Sequence, residues 1–213
     1  MRILHSQKLV FLSMPRAGST TVRNTLDQYS DVKSVHVSKV DADFPFFHHM
    51  TASELKAAFE AKGWQWDDYR KFCVVRNPYD RLVSLYHLSL NILANQRKQS
   101  LKGRLMARFG SVPTFEDYLY AINTNSHLPC TFKFFACAPD GEVLIDDLLK
   151  FENLSTELSD YLTQRGIPTQ EQEVPRLNAS EDRRKYRSYY DDKSRQFVAE
   201  KFGEEIDRFG YEF

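Results

Sequence analysis

The chain is short of several things, and each shortage excludes something. It has no excess of charge of either sign: Lys plus Arg and Asp plus Glu are both 29, so the formal net charge is zero. Nucleic acid and anionic membrane are therefore poor candidates as the main partner, because both select a dense basic footprint. Cysteine is scarce, at three residues, an odd number with no C-x-x-C. The spacing of Cys130 and Cys137 fits no zinc site, and Cys73 sits in an apolar run where a small buried side chain suffices. No disulfide framework is implied, which points to a reducing compartment. No apolar run approaches membrane-spanning length, and the first strand expected begins by Lys8, leaving no room for a signal peptide. The expectation is a soluble, cytoplasmic protein without a membrane span. No internal repeat or low-complexity segment breaks the 213 residues, which fit one α/β domain over 1–213 with a substantial core.

What is present is organised around Lys8 to Arg23. Lys8 to Leu12 has the length and apolar content of a buried strand. Pro15 ends it, since it has no N–H for a ladder. Gly18 permits a tight turn, and Ser19-Thr20-Thr21 open a helix expected to reach about Tyr29. Strand, turn and helix start together aim several backbone N–H groups at one point, which favours a phosphate. The pattern is not a Walker A motif: no Lys follows Gly18, and the nearest cation is Arg16. The loop therefore suits a phosphorylated ligand other than a Mg-bound triphosphate. An ordinary strand-to-helix turn with a capping Ser remains the alternative for this stretch taken alone.

A second stretch, Phe72 to Tyr86, repeats the grammar. An apolar strand ends in Arg76, Pro78 starts a helix, and Ser84 lies eight residues beyond Arg76. Arg16, Arg76 and Arg81 could together form a local cationic cluster for a small anion.

Together the two stretches, Pro15-Arg16-Ala17-Gly18-Ser19-Thr20-Thr21 and Arg76-Asn77-Pro78-Tyr79-Asp80-Arg81-Leu82-Val83-Ser84, resemble the phosphosulfate-binding loop and 3′-phosphate-binding segment of sulfotransferases. The similarity is to the carbohydrate sulfotransferase branch (family 2 type). Phe151-Glu152-Asn153-Leu154 is similar to that family's F-E-N-L segment. Leu177-Asn178-Ala179-Ser180, Tyr186, Tyr190 and Phe209-Gly210-Tyr211 resemble its C-terminal pattern, so nearly the whole chain is covered. One departure is His127-Leu128-Pro129, followed by Cys130 where the family often has Gln.

The resemblance implies a sulfotransferase that uses 3′-phosphoadenosine 5′-phosphosulfate (PAPS) as co-substrate, without a metal, and acts on a small-molecule or glycan hydroxyl, less readily an amine. It implies that Pro15, Arg16, Ala17, Gly18, Ser19, Thr20 and Thr21 hold the 5′-phosphosulfate, with the hydroxyls of Ser19 and Thr20 assisting. Arg76 and Ser84 would hold the 3′-phosphate. Arg16 would stabilise charge on the leaving oxygen; family members often have Lys there, and Arg, which does not give up a proton, limits the role to electrostatics. A base must take the acceptor's proton, and a His near pKa 6.5 suits that task. His49 is the candidate, just before a helix of the T-A-x-E-L type, with His48 as the competing neighbour. Two other classes stay open: a P-loop kinase-like NTP-using enzyme, and a non-catalytic nucleotide-binding module.

In order along the chain, Val32 to Val37 alternates as a second strand. Thr51-Ala52-Ser53-Glu54 opens a helix that stops at Gly63. Trp64 and Trp66 are expected to pack rather than bind. Lys71 to Val75 forms a strand, Pro78 starts a helix to about Asn95, and a basic run spans Gln96 to Arg108. Pro113 to Asp117 starts another helix. Thr131 to Glu152 is expected as strand, Pro139-Asp140-Gly141 turn and strand. Asn153 or Ser155, then Asp191 or Asp192, cap two further helices. The alternation predicts an α/β fold, a three-layer P-loop-like domain with a mostly parallel sheet, with ligands beyond the strands' C-terminal ends.

Overall fold

The computed structural model describes residues 1–99, 112–124, 131–168 and 183–213. These fall into two compact units, one formed by Met1–Arg76 and Cys130–Ala179, the other by Asn77–Pro129 and Ser180–Phe213. The strands are β1 (Arg2–Leu4), β2 (Leu9–Leu12), β3 (Val32–Lys33), β4 (Arg70–Val75) and β5 (Asp147–Lys150). The helices are α1 (Ser19–Leu26), α2 (Ala52–Ala61), α3 (Pro78–Gln99), α4 (Phe115–Thr124), α5 (Phe132–Ala136), α6 (Leu154–Thr163), α7 (Asp192–Lys201) and α8 (Gly203–Phe209). Most of the basic run, His127 to Cys130, and Leu177 to Ser180 lie outside the described residues, as do the side chains of Arg97, Lys98, Arg183, Arg184 and Lys185.

The first unit carries one five-stranded sheet in the order β3-β1-β2-β4-β5. β1 is antiparallel to both β2 and β3, whereas β2–β4 and β4–β5 are parallel. β2, β3, β4 and β5 thus share a direction and β1 opposes it, so the architecture is α/β with a mostly parallel sheet. Every residue of β2 is buried, as are Phe72 to Val75 of β4. That is the reason for their unbroken apolar runs, since central parallel strands are covered on both faces. Register pairs Leu12 with Cys73 and Val75 with Lys150, which brings the C-terminal ends of β2, β4 and β5 side by side.

Local chemistry sets the flanking helices. Thr51 and Glu54 make a reciprocal capping box at the start of α2, and Gly63 follows its end with φ 70°. Trp66 is buried, and Trp64 lies edge-on to Phe59 with centroids 5.3 Å apart, so both tryptophans pack. In the second unit, Asn77 caps α3 by accepting from the Tyr79 N–H at 3.0 Å, with Pro78 at the first helical position. Phe213 meets the rings of Tyr79, Tyr186 and Tyr190 at 5.0, 6.1 and 5.5 Å, so the C-terminal aromatic pattern is a packing pattern.

Four expectations differ from the structure. The segment Val32 to Val37 is a strand only over Val32–Lys33, because Val37–Lys39 coils into a 3₁₀ turn capped by the His36 side chain. β1 precedes the first strand expected; three residues are too few to show a period. The expected hairpin between Thr131 and Glu152 is instead α5, a turn, an isolated Cys137–Val143 bridge and β5. Thr131 caps α5, whose buried residues Phe132, Phe135 and Ala136 follow a helical spacing. The last helix is two, α7 and α8, with Phe202 leaving helical geometry at the join.

Candidate donor and acceptor site

The geometry begins where β2 ends. Ser13 is 0% exposed and Met14 is buried behind it, after which Pro15 to Gly18 turns the chain into α1. Arg16 (φ 59°) and Gly18 (φ 75°) both adopt the left-handed conformation. Left-handed residues set between right-handed ones curl a backbone so that its N–H groups converge, a geometry that favours an anion. Gly18 is the N-cap of α1 and no side chain caps that end, so the helix terminus adds its positive pole to the same concavity.

The hydroxyls here divide their labour. Ser19 Oγ donates to the Met14 carbonyl at 2.6 Å, so its proton closes the loop and is not offered to a ligand in this geometry. Thr20 Oγ1 lies 3.4 Å from Arg23 Nη2, and Thr21 is buried. The Arg16 guanidinium is partly buried, and loss of solvent lowers its pKa from the usual value; with an ordinary pKa above 12 it has ample room to stay charged.

Gly18 has no space for a side chain. A Cβ there would lie 2.5 Å from Leu154 Cδ2 and 3.0 Å from Phe151 Cδ2. The Phe151–Leu154 segment is therefore the floor of the loop. At the end of β4, Arg76 is only 6% exposed; its Nη1 donates to the Arg16 carbonyl at 2.8 Å, and its guanidinium lies over the Phe151 ring at 4.2 Å. Arg16, Gly18, Arg76 and Phe151 are thus brought together within the first unit. Ser84 lies in α3, in the second unit.

Arg81 differs from its expected place in the cationic cluster. It is 1% exposed, and its Nη1 and Nη2 meet the two carboxylate oxygens of buried Glu205 at 2.5 and 2.9 Å. A guanidinium removed from water demands a matched carboxylate, so Arg81 is committed to the interior of the second unit.

The two histidines follow an extended segment held by a Val35–Phe47 bridge and by the His48 N–H donating to the Val35 carbonyl at 3.1 Å. Both lie in the turn that follows the bridge, with ring centroids 6.4 Å apart, and each ring takes a different partner. His48 Nδ1 meets Ser34 Oγ at 2.9 Å, while His49 Nδ1 meets the Ser13 carbonyl at 2.8 Å. A carbonyl only accepts, so His49 Nδ1 carries the proton and Nε2 keeps its lone pair. Burial, then the nearby charges of the N-terminal amine and Arg23, lowers the His49 pKa, with the Ser13 hydrogen bond acting the other way. His49 as a whole residue is exposed, which relieves part of that penalty. His48 is pushed down to about 4 by burial first and then by Arg23 and neighbouring charges.

Sequence reasoning missed the Ser13 carbonyl, which has no side-chain signature, and Arg23, which sits one turn beyond Thr20. Arg23 Nη1 is buried without a hydrogen-bond partner. Among the described residues no cluster of three or more His, Cys, Asp or Glu could hold a metal ion. Nor is any helix there long and apolar enough to cross a membrane.

No curated protein sequence is significantly similar to this one. Among solved structures, the chain is similar to mouse sulfotransferase SULT7A1 complexed with PAP, at 13% identity and a TM-score of 0.54, covering 96% of this chain and 86% of that one. The likeness shows a shared fold. The Sulfotransferase family model matches residues 1–212. With a family-model match over nearly its full length, the chain belongs to the sulfotransferase family, enzymes that take a sulfuryl group from PAPS.

Proposed function

We propose that this sulfotransferase moves the sulfuryl group of PAPS to the hydroxyl of a carbohydrate or other small alcohol, and that residues 1–213 act as one catalytic domain. In this reading the backbone of Pro15 to Thr21 receives the 5′-phosphosulfate, while Arg76 and Ser84 take the 3′-phosphate. His49 Nε2 accepts the acceptor's proton as its oxygen bonds to sulfur. The bond from sulfur to the bridging phosphate oxygen breaks, and Arg16 offsets the negative charge left there. The products are a sulfate ester and 3′-phosphoadenosine 5′-phosphate (PAP). The fold neighbour's complex with PAP supports this choice of nucleotide.

The observation that carries the reading is the hydrogen bond from His49 Nδ1 to the Ser13 carbonyl. It fixes a proton-accepting nitrogen on the residue next to the phosphate loop. His48 is the weaker candidate, because burial and neighbouring charges push it down to about 4 and its Nδ1 meets Ser34 instead of the end of β2. The test is incubation with sulfur-labelled PAPS and a panel of glycans and small alcohols, with Arg16→Ala in parallel. Transfer to at least one alcohol, with turnover in Arg16→Ala lowered by about 10²–10³, is expected. PAP binding without transfer to any acceptor would favour a non-catalytic module, and Mg-dependent ATP hydrolysis would favour a kinase-like enzyme.

A further inference from the structure

Phe151 is an odd residue by its position. It opens a 3₁₀ turn directly after β5, is only partly buried, and so is not a simple core filler. Two of its neighbours come from distant parts of the chain. On one side the Arg76 guanidinium lies over its ring at 4.2 Å. On the other, its ring edge lies where a Gly18 side chain would be, at 3.0 and 3.2 Å from an ideal Cβ. Arg76 in turn donates to the carbonyl of Arg16, a residue held at φ 59°. A non-glycine residue in that conformation persists only when its surroundings hold it there. The carbonyl that Arg76 grips belongs to the peptide between Arg16 and Ala17, so the orientation of the Ala17 N–H is set by the same bond.

We propose that Phe151 is a positioning residue for the donor, through a relay from the ring to the Arg76 guanidinium to the Arg16 carbonyl and so to the N–H groups of the phosphate loop. The proposal rests on the donor site described above. The ring fixes Arg76 laterally, since a guanidinium over an aromatic face is held by the ring quadrupole and by flat contact. It also blocks the space beneath Gly18, so the loop cannot sag away from a bound phosphosulfate. Phe151 itself touches neither sulfur nor acceptor. Because Arg76 is shared, the end of the donor carrying the 3′-phosphate and the end carrying the sulfuryl group are mechanically joined.

The test compares wild type, Phe151→Leu and Phe151→Tyr, reading PAP affinity and stoichiometry by calorimetry and kcat and KM for PAPS by transfer. Phe151→Leu keeps apolar bulk but removes the aromatic face. It is expected to lower kcat about tenfold, since small misplacements at a reacting centre are costly, and to weaken PAP binding several-fold at an unchanged number of sites. Phe151→Tyr keeps the face and should restore most of both. Fewer PAP sites at wild-type affinity in Phe151→Leu would mean a merely structural role and would overturn the proposal. Equal losses in the Leu and Tyr variants would overturn it as well. Should Phe151→Leu not fold, Phe151→Met is measured in its place by the same criteria. Wild type that binds no PAP would instead sink the donor site itself, a different failure that calorimetry separates from this one.

Discussion

His48 and His49 are the same side chain on adjacent residues, with ring centroids only 6.4 Å apart, yet their Nδ1 atoms serve two different parts of the fold. His49 reaches the end of β2, where the Ser13 main-chain carbonyl orders its ring. His48 meets Ser34, the residue after β3, whose Oγ accepts from Arg2 Nη1 of β1 at 3.4 Å. The charges near both rings are similar: the N-terminal amine and Arg23 oppose protonation of each. The hydrogen-bond partner of each Nδ1 makes the difference. One ring is given a fixed tautomer by the carbonyl at the end of β2, and the other is absorbed into a hydrogen-bonded corner with Ser34. Proximity in sequence therefore says little about equivalence in chemistry.

The sharpest way to break this comparison is His49→Ala. Loss of a general base should lower kcat by about 10²–10⁴ with PAP affinity unchanged; transfer at the wild-type rate would remove His49 from the mechanism. Arg76→Ala sharpens it from the donor side. It should weaken PAP binding by about 2–5 kcal/mol if its charge pairs with a desolvated phosphate, measured by calorimetry, and equal affinity would end the 3′-phosphate assignment.

Gly18→Ala strains the turn before α1 and leaves the partners of both histidines in place. The new Cβ meets Leu154 and Phe151 at φ 75°, so a stability loss of about 1–3 kcal/mol is expected in denaturant melts, together with weaker PAP binding.

The smallest effect is a pH dependence. Unfolded His48 titrates near 6.5, whereas the folded group is depressed to about 4. Between those values the unfolded chain binds more protons, so this contribution to stability is present above pH 6.5 and is lost as pH falls toward 4. The melting temperature of wild type should fall across that window more steeply than that of His48→Gln. His49 also has a lowered pKa, so the acid limb of kcat/KM should lie below the ordinary histidine value.

Much of this was legible in the residues. Lys8 to Leu12 and Lys71 to Val75 read as strands, Pro15 and Gly18 as the turn that follows, and Thr51 with Glu54 announced the start of α2. α5 was not legible as a helix, because five residues with three phenylalanines suit either period. Glu205 gave no hint that it would meet Arg81, 124 residues away.

By itself, the sequence determined the elements whose causes are local: hydrophobic period, caps, and the backbone freedom of one glycine set β2, the turn through Gly18 and α1 without help from elsewhere. Only the tertiary structure decided which arginine faces a carbonyl and a ring and which is neutralised, and which histidine is ordered by Ser13. Those outcomes depend on the solvation of charge and on partners far along the chain, and neither is written in any short stretch of residues.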